Sequence, residues 1–204
     1  MRLDKKKMIA AIIVACTTLF IAIGIHEKKD TRKQLKFGAT YMTMNNPYFV
    51  NMDENIEESV QAKGDILITR DPLQDQKKQN EQIKDMINEG IDVLFLQPVD
   101  RNKVRPALEL CKKKHIPVVV IDSEVSDTEA VVSTIVSDNY DAGVQCAKDM
   151  MKKKTSANII IVNQKALNSI NERVKGFRDT IKGHPQYKIV EEKESAAEFE
   201  IAMK

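Results

Sequence analysis

Past position 36, apolar residues along this chain recur with two alternating periods. Short continuous apolar runs predict buried strands over 37–42, 65–69, 92–96 and 117–121, the last two reading DVLFL and PVVVI. Between them, apolar residues three and four apart predict helices over 47–63, 74–89 and 101–114. Phe49, Met52, Ile56 and Val60 form one such stripe, and Ile83, Met86 and Ile87 another. The punctuation agrees: Asn46 fits an N-cap with Pro47 at the first helical position, and Gly64 and Gly90 fit the stops. A strand over 131–136 and a helix over 140–153 follow. Fully apolar strands separated by amphipathic helices predict an α/β fold, a three-layer lobe whose parallel sheet is covered on both faces.

The pattern then restarts, with a strand over 159–162 (IIIV), a helix over 169–182, a strand over 187–191 and the start of a helix over 196–204. Residues 36–137 therefore read as a first α/β lobe and 138–204 as a partial second one. Two strands and two helices are too few to bury both faces of a sheet, so the chain is expected to stop inside its second lobe.

The N-terminus carries a different signal. Arg2, Lys5, Lys6 and Lys7 precede an uncharged, mostly apolar run over 8–25, broken only by Thr17 and Thr18, and charged residues resume at Glu27. A basic flank ahead of such a run predicts a hydrophobic helix acting as an export signal. Residues 1–26 are then a signal or anchor segment and 27–35 a polar linker. The run is about long enough to span a bilayer, which favours an uncleaved anchor. Residues 13–16 (IVAC) also resemble a lipobox with Cys16 as the lipidation site, but the sequence stays hydrophobic after the cysteine, which ranks this second. Either way the body sits outside the cytoplasm, tethered to the membrane.

Composition narrows the function classes. The net charge of +2 offers no concentrated basic face, so nucleic acid is not an expected partner. The lysine runs at 112–114 and 152–154 fall where helices end and complement their dipoles. Three cysteines without a CxxC pair and three scattered histidines supply no metal-ligand set. Cys111 and Cys146 lie in helical patterns and read as small buried residues, with a disulfide between them left open. The turn after the first strand, TMNNP over 43–47, holds no glycine to let a pyrophosphate approach, and no G-x-S-x-G, H-E-x-x-H or P-loop occurs. The expectation is a binding protein with no catalytic residue and no cofactor.

In an open parallel sheet, ligands bind beyond the carboxyl ends of the strands. Those ends carry Asn46, Tyr48 and Phe49, then Gln97, then Asp122 and Ser123, then Ser137, and after the restart Arg173. Amides, a carboxylate and a guanidinium beside aromatic rings suit a polyhydroxylated ligand, with paired hydrogen bonds to hydroxyls and a ring against the C–H face. Plainer readings stand beside these. Asn46 fits a cap as well as a contact, Phe49 lies on the buried stripe, Gln97 could simply end its strand, and Arg173 fits a surface helix charge equally. Asp122, closing an apolar strand, has no packing role.

At these residues the sequence resembles the sugar-binding periplasmic proteins of the ribose/galactose type, the substrate-binding components of ABC importers. The resemblance runs from about 36 to 190. It is carried in order by Asn46-Pro47-Tyr48-Phe49, by Gln79, Gln82 and Ile83, by the segments 92–100 (DVLFLQPVD) and 116–122 (IPVVVID), by Ser137-Asp138-Asn139 with Gly143, and by Arg173-Val174-Lys175-Gly176-Phe177. It implies a periplasmic-binding fold of type I, with two α/β lobes closing on a sugar. Asn46, Tyr48, Phe49, Asp122, Ser137 and Arg173 would then touch the ligand. Gln97 stands where that family often has Asn, and Ser123 where Arg often adds a second contact. The implied role is extracytoplasmic monosaccharide binding for an ABC permease. A tethered sensor feeding a kinase or chemoreceptor, or a truncated remnant without function, are the alternatives.

Overall fold

The computed structural model describes residues 32–195. The expected N-terminal hydrophobic helix, Cys16 and the helix expected over 196–204 lie outside these residues. Among the described residues no helix is long and apolar enough to cross a membrane.

The elements follow in the order β1 (Lys36–Thr40), α1 (Pro47–Gln61), β2 (Ile66–Arg70), α2 (Gln76–Asn88), β3 (Val93–Leu96), α3 (Arg105–Lys113), β4 (Val118–Ile121), β5 (Val131–Ile135), α4 (Asn139–Lys153), β6 (Ala157–Asn163), α5 (Asn168–Ile181) and β7 (Tyr187–Glu194). The first five strands form one parallel sheet in the order β2-β1-β3-β4-β5. The last two pair in parallel as a second sheet. Because the chain moves from β1 to β2 in one direction and reaches β3 on the other side, the sheet switches direction between β1 and β3. A crevice opens at such a point, above the carboxyl ends of the strands.

The two faces of the large sheet are filled by alternate residues of the same strands, as the strand period of two requires. On one face Leu94, Leu96, Val118 and Val120 pack with Ile83 and Met86 of α2 and Leu108 and Cys111 of α3. On the other, Ala39, Tyr41 and Ile121 pack with Phe49 of α1, joined by the half-buried Phe95 and Val119. The second sheet carries a smaller cluster in which Ala147, Ile181 and Tyr187 are the buried members. Its outer face leaves Ile160, Val162 and Val190 exposed.

Several boundaries move, each for a local reason. Helix α3 starts at Arg105 rather than 101 because Asp100 accepts hydrogen bonds from the Asn102 and Lys103 amides, at 2.9 and 3.1 Å, which forms a turn instead. Strand β7 continues to Glu194 through EEKE because its backbone keeps pairing with β6 while the charges face water. Asn46 caps α1 as expected, its side chain accepting from the Tyr48 amide at 3.0 Å. Gly64 takes the left-handed conformation (φ 74°) that ends the helix, and the Asp65 amide reaches back to the Val60 carbonyl at 3.2 Å.

Candidate functional site

The capping bond at Asn46 starts α1 at the end of β1 and leaves Asn46 and Tyr48 exposed at the crevice. Phe49 points inward: it is 4% exposed and packs against both Tyr41 and Tyr48. Its ring supports Tyr48 from below, which assigns the exposed aromatic face to Tyr48. Tyr41 is fully buried and donates to Asp53 at 3.0 Å, and Thr69 donates to the same carboxylate oxygen at 2.8 Å. One carboxylate thus ties β1, α1 and β2 together beneath the site. Burial and the Asp53 charge push the Tyr41 phenol far above its usual range.

Asp122 follows β4 in a strained turn. Its φ is 64°, and the Ser123 amide donates back to the Ile121 carbonyl at 2.7 Å. Asp tolerates this backbone better than most residues. The turn lifts the carboxyl group out of the strand, where its charge acts on the Tyr48 phenol. Burial raises the Asp122 pKa, opposed by the Tyr48 hydroxyl and by the positive charge of Arg173. The Tyr48 phenol is raised as well, first by burial and then by the Asp122 charge, while Arg173 lowers it. Tyr48, Asp122 and Arg173, from α1, the end of β4 and α5, therefore share one electrostatic site.

Arg173 is held by Asn139, the first residue of α4, whose Oδ1 accepts from its Nε at 2.8 Å. Asn139 is 7% exposed, and its Nδ2 donates to the Ser137 carbonyl at 3.0 Å. Two glycines bring α4 and α5 together. A Cβ at Gly143 would lie 2.0 Å from the Arg173 carbonyl oxygen, and one at Gly176 would lie 2.1 Å from that of Tyr140. Ser137 is exposed on the segment that leaves β5. A cleft of about 260 Å³ opens beside this group, walled by Glu124, Ser137, Asp138, Asn139, Asn168 and Glu172.

The other two candidates are turned into the protein. Gln97 is fully buried, and its Oε1 accepts from the Met42 amide at 2.5 Å. Ser123 is also fully buried, and its Oγ accepts from the Ser169 amide at 3.3 Å. That bond is one of a series linking the loops of the first sheet to the loop after β6 and the first turn of α5. Arg101 donates to Asn168, Asn168 donates to Glu124 at 2.5 Å, and the Arg101 amide donates to the Ala166 carbonyl at 3.2 Å. Leu167 of that loop is buried in the same cluster as Tyr41 and Phe49.

Both cysteines of the described residues are free; Cys111 is buried and Cys146 exposed. The expectation of burial for Cys146 is thereby corrected: the inner stripe of α4 runs through Asn139, Gly143 and Ala147, and Cys146 falls beside it. The described residues contain no group of three or more His, Cys, Asp and Glu side chains able to hold a metal ion. Asn139, which the sequence reading names only within the Ser137-Asp138-Asn139 segment and not as a ligand contact, is the residue the structure sets against Arg173. Its signal was the four-residue spacing 139, 143, 147 of that inner stripe.

A family model described as periplasmic binding protein domain matches residues 37–202. The ribose import binding protein RbsB of Bacillus subtilis is 28% identical over 149 residues, 70% of this chain and 48% of that protein. The RbsB protein of Escherichia coli is 27% identical over 145 residues, again 48% of its length. The chain thus spans about half the length of these curated relatives. Among solved structures, an ABC transporter solute binding protein from Mycobacterium smegmatis with bound glycerol is 30% identical with a TM-score of 0.73, covering 78% of this chain and 56% of that one. The Caulobacter myo-inositol binding protein shares the fold at 21% identity and a TM-score of 0.77, covering 83% of this chain and 58% of that one.

Proposed function

The chain belongs to the periplasmic binding protein domain family, and from that premise we propose that it binds a monosaccharide outside the cytoplasm, for delivery to an ABC importer, without transforming it. The observation that carries this reading is the meeting of Tyr48, Asp122 and Arg173 from three separate elements at the carboxyl end of the sheet. An ionised carboxylate accepts from two neighbouring hydroxyls, a guanidinium donates to ring or hydroxyl oxygens, and an exposed phenol ring covers the apolar face of a sugar. Asn46 and Ser137 extend the polar rim. Gln97 and Ser123 act behind it, holding the backbone of Met42 and Ser169 in place. The relatives named for ribose import support a pentose as the first ligand to try. On this reading the apolar run over 8–25 keeps the binding body at the outer side of the membrane.

The test is calorimetric titration of the chain with D-ribose, D-galactose and myo-inositol, beside Arg173→Ala and Asp122→Ala. Saturable binding of one sugar, lost in both variants, is the expected result. Heats equal to dilution for all three sugars, with the protein folded, would remove the reading.

A further inference from the structure

The geometry points to Asn139 as a positioning residue that sets the direction of the Arg173 guanidinium and links it to the connection between the two sheets. Arg173 is an exposed side chain on a helix, and an unheld arginine there would sample many rotamers. Its Nε, however, is bonded at 2.8 Å to an amide that is itself 7% exposed. Engaging Nε fixes the guanidinium plane and leaves the four N–H bonds of the two terminal nitrogens for Asp122 and a ligand.

Asn139 cannot swing freely to accommodate a wandering arginine. Its Nδ2 is bonded to the Ser137 carbonyl, so both ends of a buried amide are committed. The backbone adds a second restraint, because Gly143 lets the carbonyl of Arg173 lie against α4. Ser137 belongs to the three residues between Ile135, the end of β5, and Asn139, the start of α4. A shift of that connection is therefore passed through one amide to the cation of the site.

The consequence can be read without any ligand, because Arg173 lowers the pKa of Asp122. If Asn139 holds Arg173 in place, Asn139→Ala lets the cation drift and the Asp122 titration midpoint rises. NMR titration of the Asp122 carboxyl carbon in the whole chain would compare wild type, Asn139→Ala, Arg173→Ala and the double variant. The expected result is an upward shift in Asn139→Ala, in the same direction as in Arg173→Ala, and no further shift in the double variant. An unchanged midpoint in folded Asn139→Ala, or shifts that add in the double variant, overturns the inference. Should Asn139→Ala fail to fold, Asn139→Ser gives the same reading, since its hydroxyl can serve the Ser137 carbonyl but stops short of Arg173.

A second arm, which rests on the sugar-binding reading, titrates D-ribose into the same proteins. Loss of one hydrogen bond to a charged group corresponds to an affinity about tenfold weaker in Asn139→Ala, with no added loss in the Arg173→Ala background. A wild type that ignores D-ribose tells against the pentose, while the Asp122 titration still decides the role of Asn139.

Discussion

Replacing Gly143 by alanine strains the close contact between α4 and α5. The new Cβ would sit 2.0 Å from the Arg173 carbonyl oxygen and 2.9 Å from the Phe177 nitrogen, and real Cβ contacts come no nearer than 3.0 Å. Both neighbours are helix backbone, so no side chain can turn aside, and α5 must retreat by about 1 Å. Overpacking of this kind costs about 3 kcal/mol. Alanine recovers about 1 kcal/mol through its better helix propensity. The net loss of about 2 kcal/mol lowers Tm by about 4–8 °C for a chain of this length. The same retreat stretches the 2.8 Å bond between Arg173 and Asn139 beyond hydrogen-bonding distance. Thermal melts and denaturant unfolding measure the first effect, and the Asp122 titration measures the second. Gly90→Ala is the comparison: its φ of 82° disfavours alanine, but nothing lies within 4 Å of the added Cβ, so only a cost of about 1 kcal/mol follows and Asp122 is untouched. A Gly143→Ala protein melting at or above wild type would refute the account of the helix contact.

Three further outcomes follow from other parts of the structure. Burial raises the folded-state pKa of Asp122 above the unfolded value of 3.8, so its ionisation costs stability as pH climbs through that interval and the whole penalty is present at neutral pH. Asp122→Asn, which keeps a residue type tolerant of positive φ, is thus expected to melt above wild type at pH 7, with the gap closing in acid below the unfolded value; an equal gap at pH 3 and pH 7 contradicts this. Tyr41→Phe removes a buried hydroxyl from Asp53 but leaves the Thr69 bond, and should cost about 1–2 kcal/mol in denaturant unfolding. For the cysteines, peptide mapping after brief maleimide treatment of the native chain should find Cys146 modified and Cys111 spared, since burial pushes the Cys111 thiol up to about 12.

The alternation of parallel strands and helices was legible because apolar residues on β3 and β4 leave no polar face, and only a sheet covered on both sides accepts such runs. Asn46 was legible because a cap and a following proline form a local signal. The fates of Gln97 and Ser123 were not. Leu96 pairs with Thr40, which sets Gln97 beside Met42, and that register exists only once β1 and β3 have met. Likewise, the bond from Ser169 to Ser123 spans 46 positions in sequence. Arg173 read equally as a surface charge because nothing local distinguishes it; its partner Asn139 lies 34 residues away, on a helix brought near by two glycines.

Leu167 has a consequence for the clock of the site rather than its strength. The loop that leads into the Arg173 helix buries this residue to 4% exposure in the cluster beneath Tyr48. Any motion that parts that loop from the first sheet must first draw a leucine side chain into water, at about 2–3 kcal/mol. Set against a transition state in which the leucine is already withdrawn, that figure slows each parting about 30- to 150-fold. The pace of that parting would then be set by one buried apolar side chain rather than by the polar groups at the rim.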